Sequence, residues 1–384
     1  MESILAMDSQ RTFLEFFAGG GMARIGLGDQ WRCLFANDID AQKCAAYRDN
    51  FGNKDLIEGD INDLSARELP ADPADLVWAS FPCQDLSLAG ARGGIHAARS
   101  GMFFPFWTLM ENLIAGARAP KIIAIENVTG LLTSNNGHDF ATIIECMTQN
   151  GYRTTACVLD AKSFTPQSRP RLFILGFAPE VTPPLCDTPP PQEFAPPAMI
   201  SALEYLSPQA RAQWVWLLKT PAPLRKQRLS DLVDWDVDIW HSEAQTEHLL
   251  DMMSASQRER VNALIKHGAR RAGTAFRRTR TENGRSAQRV EARFDGLAGC
   301  LRTPAGGSSR QLIFAVDGGI VRSRLMSPIE SARLMGMPED YRLPTNNTAA
   351  LKLIGDGVCV PVVQWLAEEI FEPSLASERT RSAA

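Results

Sequence analysis

Through its first 177 residues the chain repeats one pattern: a short apolar run suited to a buried strand, then a stretch with helical spacing. Residues 11–17 read as a strand ended by Ala18-Gly19-Gly20-Gly21, and a helix pattern follows through Ile25 and Leu27. Residues 33–36 read as a strand and 41–50 as a helix, and 76–79 as a further strand. A helix is predicted over 103–117, a strand over 122–125, a helix over 140–150, and strands over 153–159 and 171–177. Strands that alternate with helices imply an α/β fold with a largely parallel sheet. In such sheets ligands bind beyond the carboxyl ends of the strands. The polar and glycine residues just after each apolar run are therefore the first candidates for function.

The 384 residues suffice for one large domain and a smaller one. No apolar run reaches 18 residues, and the N-terminus lacks the pattern of a secretory signal, so a cytoplasmic protein without a membrane span is expected. The eight cysteines are scattered and none forms a Cys-x-x-Cys pair, which points to reduced thiols and to no metal site. The net charge of -4 is unusual for a nucleic-acid protein, but the charge is unevenly placed. Between Arg258 and Arg293 eleven basic residues stand against three acidic ones, a local charge of +8. Such a block reads either as a solvated face or as a phosphate-binding surface.

Eight prolines crowd residues 179–198, which read as a linker or as a surface loop of one domain. Beyond them the strand–helix rhythm is lost, and the segment to about residue 320 reads as a separate smaller domain. Ser327-Pro328-Ile329-Glu330 then predicts a helix start, with Ser327 as cap and Glu330 closing a capping box.

The glycines after the first strand let a backbone approach a ligand closely. Asp38, at the end of the second strand, is placed to accept hydrogen bonds from ribose hydroxyls, and Asp60 follows the third; each alone reads more readily as a cap or turn residue. Cys83 follows the 76–79 strand in Ser80-Phe81-Pro82-Cys83-Gln84, and Glu126 puts a carboxyl on the same sheet edge. A lone cysteine is more often a core residue, and a lone Glu a structural one. Arg169 and Arg171 alternate ahead of the last strand, a spacing that points both guanidinium groups to one side.

Together, and in this order, the motifs resemble the C5-cytosine DNA methyltransferases. They are Phe17-Ala-Gly-Gly-Gly21, Asn37-Asp-Ile-Asp40, Gly59-Asp-Ile61, Phe81-Pro-Cys-Gln84, Arg99-Ser-Gly-Met-Phe103, Glu126-Asn-Val128, Gln167-x-Arg-x-Arg171, Arg324 through Pro338, and Gly355-Asp-Gly-Val358. The resemblance covers nearly the whole chain outside about 178–295. It implies a Rossmann-like, S-adenosylmethionine-dependent catalytic domain over 1–178, a target-recognition domain over 199–320, and a return to the catalytic domain over 321–384.

The resemblance makes Cys83 the nucleophile that adds to cytosine C6, Glu126 the group that hydrogen-bonds or protonates N3, and Arg169 and Arg171 the arginines that hold the base. It assigns S-adenosylmethionine, released as S-adenosylhomocysteine, to Phe17, Ala18, Gly19, Gly21, Asp38, Ile39, Asp60, Ile61, Pro82, Met102, Asp356 and Val358. DNA contacts are expected from Gln84, Ser87, Arg270, Arg271, Arg277, Arg278, Arg280, Arg302 and Arg310. The target cytosine must leave the duplex to be reached. The implied setting is a monomer acting on duplex DNA in a bacterial cytoplasm, paired with a restriction endonuclease of the same site.

Three positions depart from the family pattern: Glu15 where Asp is usual, Ser80 where Gly is common, and Asp356 where Asn is usual, the last putting in doubt that residue's own role. A tRNA-directed relative is disfavoured because no Cys-Phe-Thr tripeptide lies in the recognition region. A catalytically silent DNA-binding relative is disfavoured by the intact Cys83, Glu126 and Arg169. A nicotinamide enzyme is disfavoured by Arg24 at the third position of the glycine fingerprint.

Overall fold

The computed structural model of the chain describes residues 10–82, 101–221, 225–282, 285–303 and 310–376. They fall into two compact units. The first comprises Met1–Asp160, Pro170–Ala222 and Val362–Ala384, and the second Ala161–Arg169 and Pro223–Pro361.

The first unit follows the expected rhythm: β1 (Arg11–Phe16), α1 (Met22–Leu27), β2 (Trp31–Asp38), α2 (Ala41–Phe51), β3 (Leu56–Glu58), β4 (Leu76–Ala79), α3 (Phe103–Ala115), β5 (Ile122–Asn127), α4 (His138–Gln149), β6 (Arg153–Asp160) and β7 (Pro170–Phe177). Its described strands build a seven-stranded sheet in the order β3-β2-β1-β4-β5-β7-β6. β1 through β5 pair in parallel, while β7 runs antiparallel to both β5 and β6. β4 and β5 are buried along their whole length, as central parallel strands covered on both faces must be. This double burial is why they read as continuous apolar runs.

The Pro-rich residues 179–198 lie inside the first unit. They carry β8 (Leu185–Cys186) and lead into α5 (Pro197–Leu203) and α6 (Pro208–Ala212), and β8 pairs with β9 (Trp216–Leu217). This excursion covers β6, the last strand of the sheet. Val158 donates to the Phe194 carbonyl at 2.8 Å, and Thr154 exchanges backbone bonds with Gln213 and Val215. Covering an edge strand removes a row of unpaired backbone groups. By compactness the change of unit falls at residues 222–223, past the expected linker, and the return falls at 361–362, past residue 321.

The second unit contains α7 (Leu229–Leu232), α8 (Glu243–Asp251), α9 (Ala255–His267), β10 (Arg271–Glu282), β11 (Arg285–Arg293), β12 (Leu312–Asp317), β13 (Ile320–Leu325), α10 (Pro328–Leu334) and α11 (Asn347–Asp356). The strands form an antiparallel sheet ordered β11-β10-β12-β13, packed on a core that includes Leu249, Leu250, Val261, Val290, Leu312 and Phe314. The next helix, α12 (Val360–Leu366), crosses the boundary between the units. By length and composition alone, the stretch Asn347–Ala376 could cross a membrane; 67% of its apolar window is buried within the protein.

The expected capping box is present at α10: Ser327 Oγ accepts from the Glu330 amide, and the Glu330 carboxylate accepts from the Ser327 amide. The same carboxylate takes both terminal nitrogens of Arg324 at 2.5 and 2.6 Å, and Arg324 also donates to the Asp234 carbonyl at 2.7 Å. Burial alone would raise the pKa of Glu330, but hydrogen bonds from Arg324, Ser327 and Asp234 outweigh it and hold the carboxyl below its ordinary range. Both side chains are nearly inaccessible, so removing one partner strands a buried charge. Arg324→Met should therefore destabilise the fold by about 3 kcal/mol or more. Urea unfolding at neutral pH checks this, and an unchanged midpoint would contradict it.

Candidate active site

The loop after β1 is held in a shape that ordinary residues resist. Phe17, Gly19 and Gly21 have φ of 57°, 56° and 74°. A Cβ on Gly21 would lie 2.4 Å from the Phe51 ring, so this position also requires glycine for space. Asp38 organises the loop: one carboxylate oxygen accepts from the Gly19 amide at 2.8 Å, the other from the Asp40 amide at 2.8 Å. Asn37 joins the next strand by donating to the carbonyls of Ile57 and Gly59, both at 3.0 Å. The carboxyl ends of β1, β2 and β3 are thus tied together. Asn37 was not singled out as a site residue, although it lies in the quoted Asn-Asp-Ile-Asp motif.

Beside this loop Ile39 is 66% exposed, an unusual position for a large aliphatic group and a ready apolar platform. Phe17 meets Phe81 edge-on at 6.2 Å, and Phe81 packs on Phe103. Asp60 caps the short turn Ile61–Asp63 through the Asn62 amide, Ile61 is buried, and the Met102 sulfur lies 4.0 Å from Asn62 Nδ2. The cap reading of Asp60 holds; it does not remove the carboxylate's remaining acceptor capacity.

Ser80, the departure from Gly, accepts a hydrogen bond from the Trp78 indole at 2.9 Å, which fixes the backbone leading to Phe81 and to Pro82, which is exposed. Cys83, Gln84 and Ser87 lie outside the described residues.

On the next strands, Glu126 is 7% exposed and its Oε1 pairs with Arg171 Nε at 3.1 Å. The antiparallel register of β5 and β7 places these two side chains together. Arg169 and Arg171, expected on one side, meet different partners. Arg169 precedes β7, belongs to the second unit, is 2% exposed, and donates to the carbonyls of Leu301, Gly355 and Gly357. Alternation governs residues within a strand, and Arg169 is not in one. In the same unit Asp356 is exposed and accepts from the Thr303 hydroxyl, and Val358 is buried.

The basic block, Arg258 to Arg293, spans α9 and the hairpin β10–β11. Within it, Arg278 and Arg280 both pair with Glu291. Arg270 pairs with Asp317 and lies over the Trp235 ring at 4.7 Å, while Arg271 donates to the Arg270 carbonyl. Burial and the nearby charge of Arg277 lower the pKa of His241. Arg302 is exposed, and Arg310 donates to the Met326 carbonyl. The hairpin's charge is therefore partly met internally.

A mostly parallel sheet, a glycine loop fixed by a carboxylate at the end of the second strand, and an acid–arginine pair on the same edge define a Rossmann-like methyltransferase. The family model described as C-5 cytosine-specific DNA methylase matches residues 11–372. The chain belongs to this family, the enzymes that methylate DNA at carbon 5 of cytosine. It is 26% identical to the Type II methyltransferase M.HpaII of Haemophilus parainfluenzae, over 94% of this chain and 89% of that one. It is also 26% identical to the Type II methyltransferase M.HhaI of Haemophilus parahaemolyticus, over 93% of each. The crystal structure of the S. pombe Dnmt2 methyltransferase shares the fold, with a TM-score of 0.57 and 18% identity over 95% of this chain and 99% of that one.

Proposed function

We propose that the chain methylates a cytosine flipped out of duplex DNA through a covalent bond from Cys83 to C6, using S-adenosylmethionine bound at the β1–β3 loops. The observation that carries this reading is the Glu126–Arg171 pair on the sheet edge that also holds the Asp38-braced loop. The residues fit such a ligand. Asp38 retains acceptor capacity toward ribose hydroxyls, exposed Ile39 and Phe17 offer apolar faces to an adenine, and Asp60 stands near as a further acceptor. The loop's glycines leave its backbone open to close approach. When bound, S-adenosylmethionine supplies an electrophilic methyl group.

Cytosine C5 is a weak nucleophile. Addition of the Cys83 thiolate to C6 breaks the C5–C6 double bond and concentrates that electron pair at C5. Glu126 supports the change by hydrogen bonding or proton donation at N3, and Arg171 holds the Glu126 carboxyl in place. After C5 has gained its methyl group, loss of the C5 proton reforms the double bond and expels the Cys83 thiolate. Pro82 and Met102 border the same site, and Asp356 and Val358 are assigned to the ligand from their motif.

The hairpin β10–β11 with Arg302 and Arg310 is proposed to contact DNA, phosphates foremost. The setting proposed is that of the Type II relatives: a bacterial, cytoplasmic monomer that protects the site of a partner endonuclease. Duplex DNA carrying 5-fluorocytosine tests the mechanism, because fluorine cannot leave C5 as a proton does. With S-adenosylmethionine present, the enzyme should form an adduct that survives denaturing electrophoresis and maps to the peptide containing Cys83. An adduct on another residue, or none with active enzyme, would overturn the proposal.

A further inference from the structure

We propose that Arg169 is a positioning residue that clips residues 300–303 to the C-terminal end of α11, its terminal nitrogens being committed there and not to the target base. The proposal rests on the reading of Asp356 and Val358 as cofactor residues and of Arg302 as a DNA contact.

The segment Pro166 to Arg169 runs beside residues 298–301. Ala298 donates to the Pro166 carbonyl at 2.7 Å, and Ser168 donates to the Ala298 carbonyl at 3.0 Å. Gln167 is fully buried; its Oε1 accepts from the Leu301 amide at 3.2 Å and its Nε2 donates to the Leu334 carbonyl at 3.0 Å. Arg169 completes the arrangement. Its Nη1 donates to the Leu301 carbonyl at 2.9 Å, and its Nη2 to those of Gly355 and Gly357 at 3.0 and 2.7 Å. Burying a guanidinium to 2% exposure calls for partners to its donors, and here both terminal nitrogens, though not Nε, are committed to backbone carbonyls from two separate segments. Arginine suits this role because its donors lie in a rigid planar fork.

Two further features require the same closeness. A Cβ on Gly355 would lie 2.7 Å from both the Arg302 carbonyl carbon and the Thr303 nitrogen, and the Thr303 hydroxyl bonds to the Asp356 carboxylate. One segment carries Arg302 and the other carries Asp356 and leads to Val358. Holding them together fixes a DNA candidate against the cofactor candidates. Removing the clip therefore weakens binding of both substrates and spares the chemical step.

Three variants test this: Arg169→Met, Arg169→Lys and Gly355→Ala. Gly355→Ala pushes the segments apart while leaving the Arg169 side chain intact, so it carries the test if Arg169→Met does not fold. Arg169→Met and Gly355→Ala should each weaken S-adenosylmethionine and DNA binding by about tenfold, and saturating kcat and its pH profile should stay near wild type. Arg169→Lys should fall between, since one ammonium cannot serve both segments in the same way. Trypsin should also cut faster after Arg302 in Arg169→Met and Gly355→Ala, a readout that needs no catalysis. A hundredfold loss of saturating kcat in Arg169→Met with both affinities intact would overturn the proposal, as would a wild-type tryptic rate at Arg302 in Gly355→Ala. Failure of the underlying functional reading shows separately, as wild-type enzyme that binds no S-adenosylmethionine, while the tryptic comparison still reports on the clip.

Discussion

Glu126→Gln should lower single-turnover methyl transfer by about 10²- to 10⁴-fold, the range expected when a positioned acid–base group is removed. The substitution keeps the size of the side chain and an oxygen that can still accept from Arg171, so the fold and the ion-pair site change little. What is lost is the ability to carry a proton or a negative charge opposite N3 while electron density builds on the ring. Arg171 engages Oε1, which leaves Oε2 as the oxygen the geometry offers to the base. Cys83→Ser should be more severe, because an alkoxide is far harder to form at neutral pH than a thiolate. DNA affinity should survive both changes, since neither residue lies among the arginines proposed to contact phosphate. Rapid-quench assays at saturating substrates measure the effect. A rate for Glu126→Gln within threefold of wild type would remove Glu126 from the mechanism.

The contrast between Glu126 and Arg169 shows what a sequence can and cannot carry. Glu126 follows a run of four apolar residues, and a strand buried on both faces delivers the next residue to the sheet edge whatever its partners are. Asp38 and the glycine loop were readable for the same reason, and Ser327 with Glu330 because capping is a local hydrogen-bond pattern. Arg169 was placed by counting alternate positions, but its direction is set by carbonyls more than 130 residues away. No local spacing reports on those. The Pro-rich stretch is a similar case: prolines do break regular structure, yet Phe194 within it is held to β6 by a backbone bond that composition does not reveal.

The basic block was read correctly as charge and incompletely as structure. Its two strands flank Asn283-Gly284, a sequence signal for a tight hairpin that would have indicated β10 and β11. Once the hairpin forms, Glu291 faces Arg278 and Arg280, and part of the positive charge is answered within it. The net field available to DNA is smaller than the residue count suggests.

Glu15→Gln should stabilise the protein, and by more as pH rises. Glu15 sits in β1 between Ala36 of β2 and Trp78 of β4 and is 1% exposed. Burial pushes its pKa up to about 8; the Arg24 charge and a backbone hydrogen bond from Arg24 oppose the rise, and Asp38 adds to it. The groups around it leave little room for a second negative charge. Arg24 is shared with the Tyr47 hydroxyl at 2.9 Å and with Asp55 at 3.5 Å, and burial pushes the nearby Cys33 thiol up to about 12. Between pH 4.5 and about 8 the unfolded chain has released the Glu15 proton and the folded chain has not. The stability tied to this proton is therefore complete below the unfolded value of 4.5, falls as pH rises toward 8, and stays lost above it. The full gap corresponds to roughly 5 kcal/mol at high pH, an upper figure because the site can relax. Gln titrates nowhere in this window, so wild type and variant should have similar melting temperatures near pH 5, diverge through pH 6 to 8, and run parallel above pH 8.5. Curves that stay parallel from pH 5 to 9 would mean that Glu15 is already ionised in the fold.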